Sequence, residues 1–175
     1  LWDECQERPP TEEEIRSWWA RDSDRNVGII TGKVSGNLVV LDFDSEPPAL
    51  EFVNKLVKLA PGVAEKLRRT WVVRTGKGYH IYLRLSNPAL LPKTSRGIGG
   101  RTDMDVRADG GQVAAPPSVH PSGRRYEWLE AHAPWETPPA ELDDDEWRIV
   151  WSILSPDEGL GTGGGGGRET GRPWP

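Results

Sequence analysis

The chain has 175 residues and a formal net charge of −5, from 27 Asp and Glu against 22 Lys and Arg. This length suits a single domain, and the mildly acidic balance excludes a basic, histone-like protein. The longest purely apolar run, around Leu38 and Leu41, is far below the roughly 18 to 20 residues that span a bilayer, which excludes a membrane protein. Because the single cysteine, Cys5, cannot form an internal disulfide and no signal peptide is evident, we expect the reducing cytoplasm.

The last twenty residues differ in composition from the rest. Eight of the twenty glycines lie in residues 156–175, a composition typical of flexible linkers. We therefore expect one folded domain over residues 1–155, followed by a Gly-rich tail over 156–175. Since the chain starts at Leu1 without Met, we also expect a fragment of a longer protein.

Capping and turn signals divide the domain into helices and strands. A capping box of Thr11 and Glu14 predicts a helix that ends near Arg21. Prolines predict a second helix over residues 47–60, ended by Pro61, and the last helix is predicted over 143–154. The predicted strands are residues 27–32 and 38–44, expected as a hairpin, then 70–74, 79–85, 104–107, 112–115 and 126–128. Strands in the middle with flanking helices predict the α+β class.

Basic residues are concentrated in the middle of the chain. From Lys66 to Arg107, ten Lys or Arg stand against only two Asp. This stretch predicts a face that binds a polyanion, although Lys and Arg that keep strand edges soluble are the alternative. The candidate DNA-binding side chains are Arg68, Arg69, Arg74, Arg84, Lys93, Arg96 and Arg101.

Two carboxylates follow an apolar strand at residues 38–44. The period of two places Asp42 and Asp44 on one face of that strand. Such a pair repels itself unless cations neutralise it, so divalent metal ions are its natural partners. The alternative, that Asp44 caps the helix that follows, leaves Asp42 unexplained.

The strand at residues 79–85 has the same periodicity. It places Tyr79 and Ile81 in the core and His80 on the opposite face, where we expect His80 to be exposed to a ligand. The preceding turn, residues 75–78, offers backbone N–H groups and Lys77, which suit phosphate oxygens. A lone His on a sheet often has no function, so this assignment needs support from the other motifs.

A third carboxylate and a cation share the polar face of the strand at residues 104–107. Asp105 and Arg107 alternate with apolar residues, whereas Asp103 is the weaker candidate because it can simply close a turn. Three carboxylates suit a site for two metal ions about 3.5–4 Å apart. Ser118 and His120 follow among prolines, either as functional groups or as parts of a rigid connection in which Ser118 caps a turn.

In this order, these motifs resemble the bifunctional primase/polymerase (prim-pol) domain of the archaeo-eukaryotic primase superfamily. The resemblance covers residues 11–154 and is carried by residues 26–32, 41–44, 75–80, 105–107, 116–123 and 126–128. It implies an RRM-like antiparallel sheet with an additional α/β element and an active site in the cleft between them. It also implies that the usual start of the domain is missing and that a helicase is a C-terminal partner or fused domain.

The resemblance also implies roles for individual residues. Asp42, Asp44 and Asp105 would hold two Mg²⁺ or Mn²⁺ ions. His80, in the motif Gly78-Tyr79-His80, would contact the phosphates of the incoming nucleotide, with the Gly78 N–H replacing the hydroxyl that relatives often have there. The remaining expected nucleotide contacts are Lys77, Arg107, Ser118 and His120.

The sequence thus predicts a primase and DNA polymerase that transfers nucleotides from NTP or dNTP to a 3′-hydroxyl on a single-stranded DNA template, with or without a primer. A non-catalytic replication-initiator module that binds DNA or nucleotide is one alternative. A metal-dependent nuclease is the other, since two-metal carboxylate sites also hydrolyse phosphodiesters.

Overall fold

A computed structural model describes residues 2–21 and 24–157 of the chain. The predicted Gly-rich tail therefore lies outside the described residues from position 158 onward. Within the described part, no helix is both long enough and apolar enough to cross a membrane.

Five helices and eight strands make up the described fold, which confirms the α+β class. The helices are α1 (Trp2–Glu7), α2 (Glu12–Arg21), α3 (Glu46–Leu59), α4 (Pro61–Leu67) and α5 (Asp144–Leu154). The strands are β1 (Val27–Ile30), β2 (Leu38–Phe43), β3 (Val72–Arg74), β4 (Tyr79–Leu85), β5 (Met104–Arg107), β6 (Gln112–Ala115), β7 (Glu127–Trp128) and β8 (Ala140–Leu142).

The strands form two sheets. The main sheet has the order β5-β2-β4-β3-β7, with antiparallel neighbours, and β8 adds a parallel pairing to β4. The small sheet pairs β1 with β6, so the expected hairpin between β1 and β2 is wrong. Between these two strands the chain makes a turn at Lys33–Ser35 after Gly32, whose φ of 92° favours glycine, and a backbone bridge pairs Gly32 with Leu38.

Both faces of the main sheet are covered. Val39, Leu41 and Phe43 of β2 lie in the larger core together with α3, α4 and α5. The alternate residues Leu38 and Val40 lie in a second core, with Tyr82 of β4 and Val113 of β6. The small sheet therefore covers the face that carries the predicted site residues, so that β2 is buried on both faces over most of its length.

Local signals account well for where the helices begin. The Thr11–Glu14 capping box is confirmed, because each backbone N–H donates to the other residue's side chain. Pro61 follows the end of α3 as predicted, but it also begins α4, a helix that the sequence analysis missed, since proline suits a first helical position. Helix α1 and strand β8 were also missed. The predicted apolar face of α5 is buried, at Trp147, Val150, Trp151 and Leu154.

Candidate active site

The main sheet places three of the predicted site residues side by side. Asp42 on β2 lies directly opposite Asp105 on β5 and directly opposite His80 on β4. Side chains directly opposite on antiparallel strands have Cβ atoms about 4.5–5.5 Å apart. The strand periodicity thus correctly predicted one shared face, and the strand register brings residues from three separate sequence motifs to one place.

All four oxygens of Asp42 and Asp105 face a nitrogen of the protein. At Asp105, Oδ1 accepts a hydrogen bond from the Gly97 N–H at 2.8 Å, and Oδ2 accepts one from Arg107 Nη2 at 2.6 Å. At Asp42, Oδ1 lies 3.2 Å from His80 Nε2, and Oδ2 lies 3.6 Å from Arg107 Nε. Arg107 therefore lies between the two carboxylates and pairs with both.

The charge of Asp42 is stabilised by its neighbours. Burial is the largest single influence and opposes ionisation, but contact with His80 and the charge of Arg107 outweigh it and lower the pKa of Asp42 below its ordinary value. Asp42 is therefore a carboxylate at neutral pH, although only about a fifth of its side chain is exposed.

Asp44 is exposed at the end of β2. Its backbone N–H donates to the carbonyl of Asp103 at 2.9 Å, which continues the pairing of β2 with β5. The residue that caps α3 is Ser45, which makes no side-chain capping bond, so the interpretation of Asp44 as a helix cap is wrong. In residues 2–21 and 24–157, no group of three or more His, Cys, Asp or Glu side chains is arranged to hold a metal ion.

The predicted phosphate-binding turn uses its own amides. The N–H groups of Lys77 and Gly78 both donate to Thr75 Oγ1, at 3.2 and 2.9 Å. We expected the Gly78 N–H to bind phosphate in place of a hydroxyl. In the structure this N–H already donates to Thr75 Oγ1. Gly78 has a packing reason instead, because a Cβ there would overlap the carbonyl oxygen of Phe43 and the N–H of Ser45. The Lys77 side chain is exposed.

His80 is buried, with 4% of its surface exposed, so the expectation of an exposed imidazole is wrong. Tyr82 and Tyr126 lie beside its ring, at centroid distances of 6.1 and 5.9 Å. Its Nδ1 is buried and has no hydrogen-bond partner among the described residues. The strand periodicity predicted the right face but could not show that distant segments cover it.

Tyr126 lies beside the candidate site, although no role was predicted for it from the sequence. Its ring lies between those of His80 and His120, with centroid distances of 5.9 and 6.2 Å. Burial and then the charges of Asp42 and Asp44 raise the pKa of Tyr126 above its ordinary value. The sequence did contain a signal for this position, because Tyr126 lies in residues 126–128, one of the segments that carry the family resemblance.

Ser118 and His120 have different surroundings. The buried Ser118 hydroxyl accepts the Val27 N–H at 2.8 Å and donates to the Val27 carbonyl at 3.1 Å, which ties this segment to β1. His120 is half-buried, and its Nδ1 accepts the Ser122 N–H at 3.1 Å. A neutral His120 therefore carries its proton on Nε2.

Several of the basic candidates are neutralised by acids from their surroundings. Lys93 pairs with Asp109 at 2.5 Å, and Arg101 pairs with Asp103 and Glu51 at 2.9 and 3.0 Å. Arg68 and Arg69 lie 3.9 and 3.4 Å from Glu65, and Arg84 is half-buried against Gly36. Arg74 and Arg96 are exposed and have no ion pair within residues 2–21 and 24–157.

A comparison with protein families bears on all of these residues at once. The family model described as bifunctional DNA primase/polymerase, N-terminal (Prim-Pol), matches residues 1–145, a span that contains every site residue discussed above. No curated protein matches the chain. The match covers most of the chain's length, and the chain belongs to the Prim-Pol family of bifunctional DNA primase/polymerase N-terminal domains.

Proposed function

We propose that this domain is a template-dependent nucleotidyltransferase that starts and extends primers on single-stranded DNA. The observation that supports this most is the direct opposition of Asp42 and Asp105 in a Prim-Pol chain. In this proposal the main sheet corresponds to the RRM-like sheet of the family. The unit built on β1 and β6 corresponds to the additional α/β element, and the active site lies between the two.

The donor chemistry at the site suits a hard divalent cation. Asp42 and Asp105 offer carboxylate oxygens, which Mg²⁺ and Mn²⁺ prefer, and the carboxylate of Asp44 makes no hydrogen bond with any residue that the structure describes. The guanidinium of Arg107 already lies between two of these groups, so a positive charge is favoured there. When bound, two such ions would activate the primer 3′-hydroxyl and stabilise the leaving pyrophosphate.

The protein's own groups hold these carboxylates in place before any ligand arrives. Gly97 fixes Asp105 through its N–H, and His80 lies against Asp42 from the neighbouring strand. Such prior orientation reduces the cost of rearrangement during a reaction.

Lys77 and His120 are the groups that we propose to bind the triphosphate. Gly76 packs so closely against the His120 ring that a Cβ there would overlap it, so His120 lies on the turn that carries Lys77. An exposed ammonium and an imidazole that donates through Nε2 are both suited to phosphate oxygens. His80 would contribute its buried Nδ1, which has no hydrogen-bond partner among the described residues.

Nucleotide incorporation tests the proposal directly. The full chain is given labelled nucleotides and single-stranded DNA, with and without a primer, in Mg²⁺ or Mn²⁺. The D42A/D44A double variant removes two proposed ligands, and D103A is the matched control because Asp103 pairs with Arg101 instead. We expect metal-dependent products from the wild type and from D103A, and none from D42A/D44A.

The products also separate the rival functions. Shortened labelled DNA strands without new synthesis would identify a nuclease. Tight binding of DNA or nucleotide without any product would favour the initiator module and contradict the proposal.

A further inference from the structure

Arg107 occupies the position between the two carboxylates that face each other across β2 and β5. Its Nη2 donates to Asp105 Oδ2 at 2.6 Å, and its Nε lies 3.6 Å from Asp42 Oδ2. Only 17% of the Arg107 side chain is exposed, and both carboxylates are about as well shielded. The guanidinium is therefore an internal counter-ion for two like charges that would otherwise repel each other.

The fit of Arg107 at this position is incomplete. Its Nε–H is buried and makes no hydrogen bond with any residue in 2–21 or 24–157, although Asp42 Oδ2 lies 3.6 Å away. A buried charged donor without an acceptor is costly, so this arrangement is not the best that the side chain could reach. A phosphate oxygen would satisfy the free donor, because guanidinium groups bind phosphate through two parallel hydrogen bonds.

We propose that Arg107 is a resident cation that competes with divalent metal for Asp42 and Asp105 and is displaced when metal binds. The displaced guanidinium then takes a phosphate of the incoming nucleotide. This inference rests on the proposed metal site and adds to it a residue that sets metal affinity. Metal and nucleotide then assist each other's binding, since each favours the same displaced position of Arg107.

Removal of the Arg107 charge should therefore strengthen metal binding. Mn²⁺ affinity is measured by calorimetric titration of the nucleotide-free full chain, so no activity is required. R107Q keeps a polar side chain without the charge. R101Q is the matched control, because Arg101 also bridges two carboxylates, Asp103 and Glu51, away from Asp42. We expect at least about tenfold tighter Mn²⁺ binding in R107Q, the effect of losing one charged hydrogen bond, and no change in R101Q.

A second measurement uses the wild type and does not depend on how R107Q folds. With ¹⁵N-labelled arginine, the Nε–H signal of Arg107 is assigned by its loss in R107K and followed during a Mg²⁺ titration. We expect this signal to shift as metal binds, while the Arg101 signal stays in place.

The outcomes separate this inference from the proposed function. Metal binding to the wild type with no gain in R107Q, or with an Arg107 signal that does not move, would overturn the resident-cation proposal and leave the metal site intact. Absence of metal binding in both the wild type and R107Q would overturn the metal site itself, and with it the inference.

Discussion

Asp42 and Asp105 lie directly opposite each other on neighbouring antiparallel strands, an arrangement in which two like charges destabilise a sheet. The protein offsets this repulsion with Arg107, which pairs with both carboxylates, and with the N–H of Gly97. A fold that needed only stability could replace the pair with neutral side chains. Local departures from stability of this kind are expected at functional sites, and the pair therefore supports the proposed metal site.

Asp105 lies on β5 and Asp103 lies just before it, and the loss of each charge should have a very different effect on primer extension. D105N keeps the shape of the side chain and an acceptor for the Gly97 N–H but removes the charge. We expect primer extension to fall at least about 100-fold, since several kcal/mol of transition-state stabilisation depend on metal ligands. D103N should stay within about threefold of the wild type, because Asp103 pairs with Arg101. Equal losses in both variants would contradict the assignment.

Close packing at Gly78 should make the end of β2 sensitive to a single methyl group. A Cβ at Gly78 would overlap the Phe43 carbonyl and the Ser45 N–H, both on rigid backbone, so G78A should lower the free energy of unfolding by about 1–3 kcal/mol. Because this backbone carries Asp44, primer extension should fall as well. Urea titration measures the first effect and labelled extension the second.

Gly62 offers the matched control for that substitution. It lies in α4, and apart from its chain neighbours and the backbone of its own helix, none of the described atoms comes within 4 Å of the position that a Cβ would take there, so G62A meets no steric conflict. Alanine also favours the helix over glycine by about 0.5–1 kcal/mol. A G78A variant as stable as G62A would show that the turn at residues 75–78 does not pack against β2 as described.

The period of two along β2 and β4 was enough to predict which side chains share a face, because the backbone geometry of a strand imposes it. It could not predict what covers that face. The small sheet and Tyr126 come from distant segments, and they bury His80, which the pattern alone left exposed. Burial of a strand's second face depends on tertiary packing, for which a local pattern carries no signal.

The sequence could not predict which charged side chains form ion pairs either. The basic stretch between Lys66 and Arg107 suggested one continuous surface for a polyanion, yet Lys93 pairs with Asp109 and Arg101 with Glu51. The Arg107 contact with Asp42 depends on the register of β2 with β5. By contrast, the Thr11–Glu14 capping box was predictable, since both partners lie within one helical turn.

Ser118 should affect stability and not nucleotide affinity. Its buried hydroxyl satisfies both the N–H and the carbonyl of Val27, so S118A leaves these backbone groups without that partner. We expect a loss of about 1–3 kcal/mol in the free energy of unfolding, with KM for nucleotide unchanged. Urea titration and steady-state extension assays measure the two quantities. If S118A raised KM for nucleotide without changing stability, the result would contradict this prediction and support Ser118 as a nucleotide contact.

Arg96 and Lys93 should contribute unequally to DNA binding, although they stand three residues apart. Arg96 is exposed, has no ion pair among the described residues, and precedes Gly97, whose N–H holds Asp105. Lys93 is paired with Asp109. An unpaired cation beside the site can neutralise a DNA phosphate and release a counter-ion, whereas a paired one must first give up its partner. R96Q should therefore weaken binding to single-stranded DNA more than K93Q.

The salt dependence of affinity provides the measurement. Fluorescence anisotropy with a labelled oligonucleotide, repeated over a range of salt concentrations, gives the slope of log affinity against log salt for each variant. R96Q should reduce the magnitude of this slope by about one phosphate contact, while K93Q should keep the wild-type slope. If K93Q lowers the slope as much as R96Q, the ion pair with Asp109 does not hold Lys93 away from DNA. The basic stretch would then act as the continuous surface that its composition suggests.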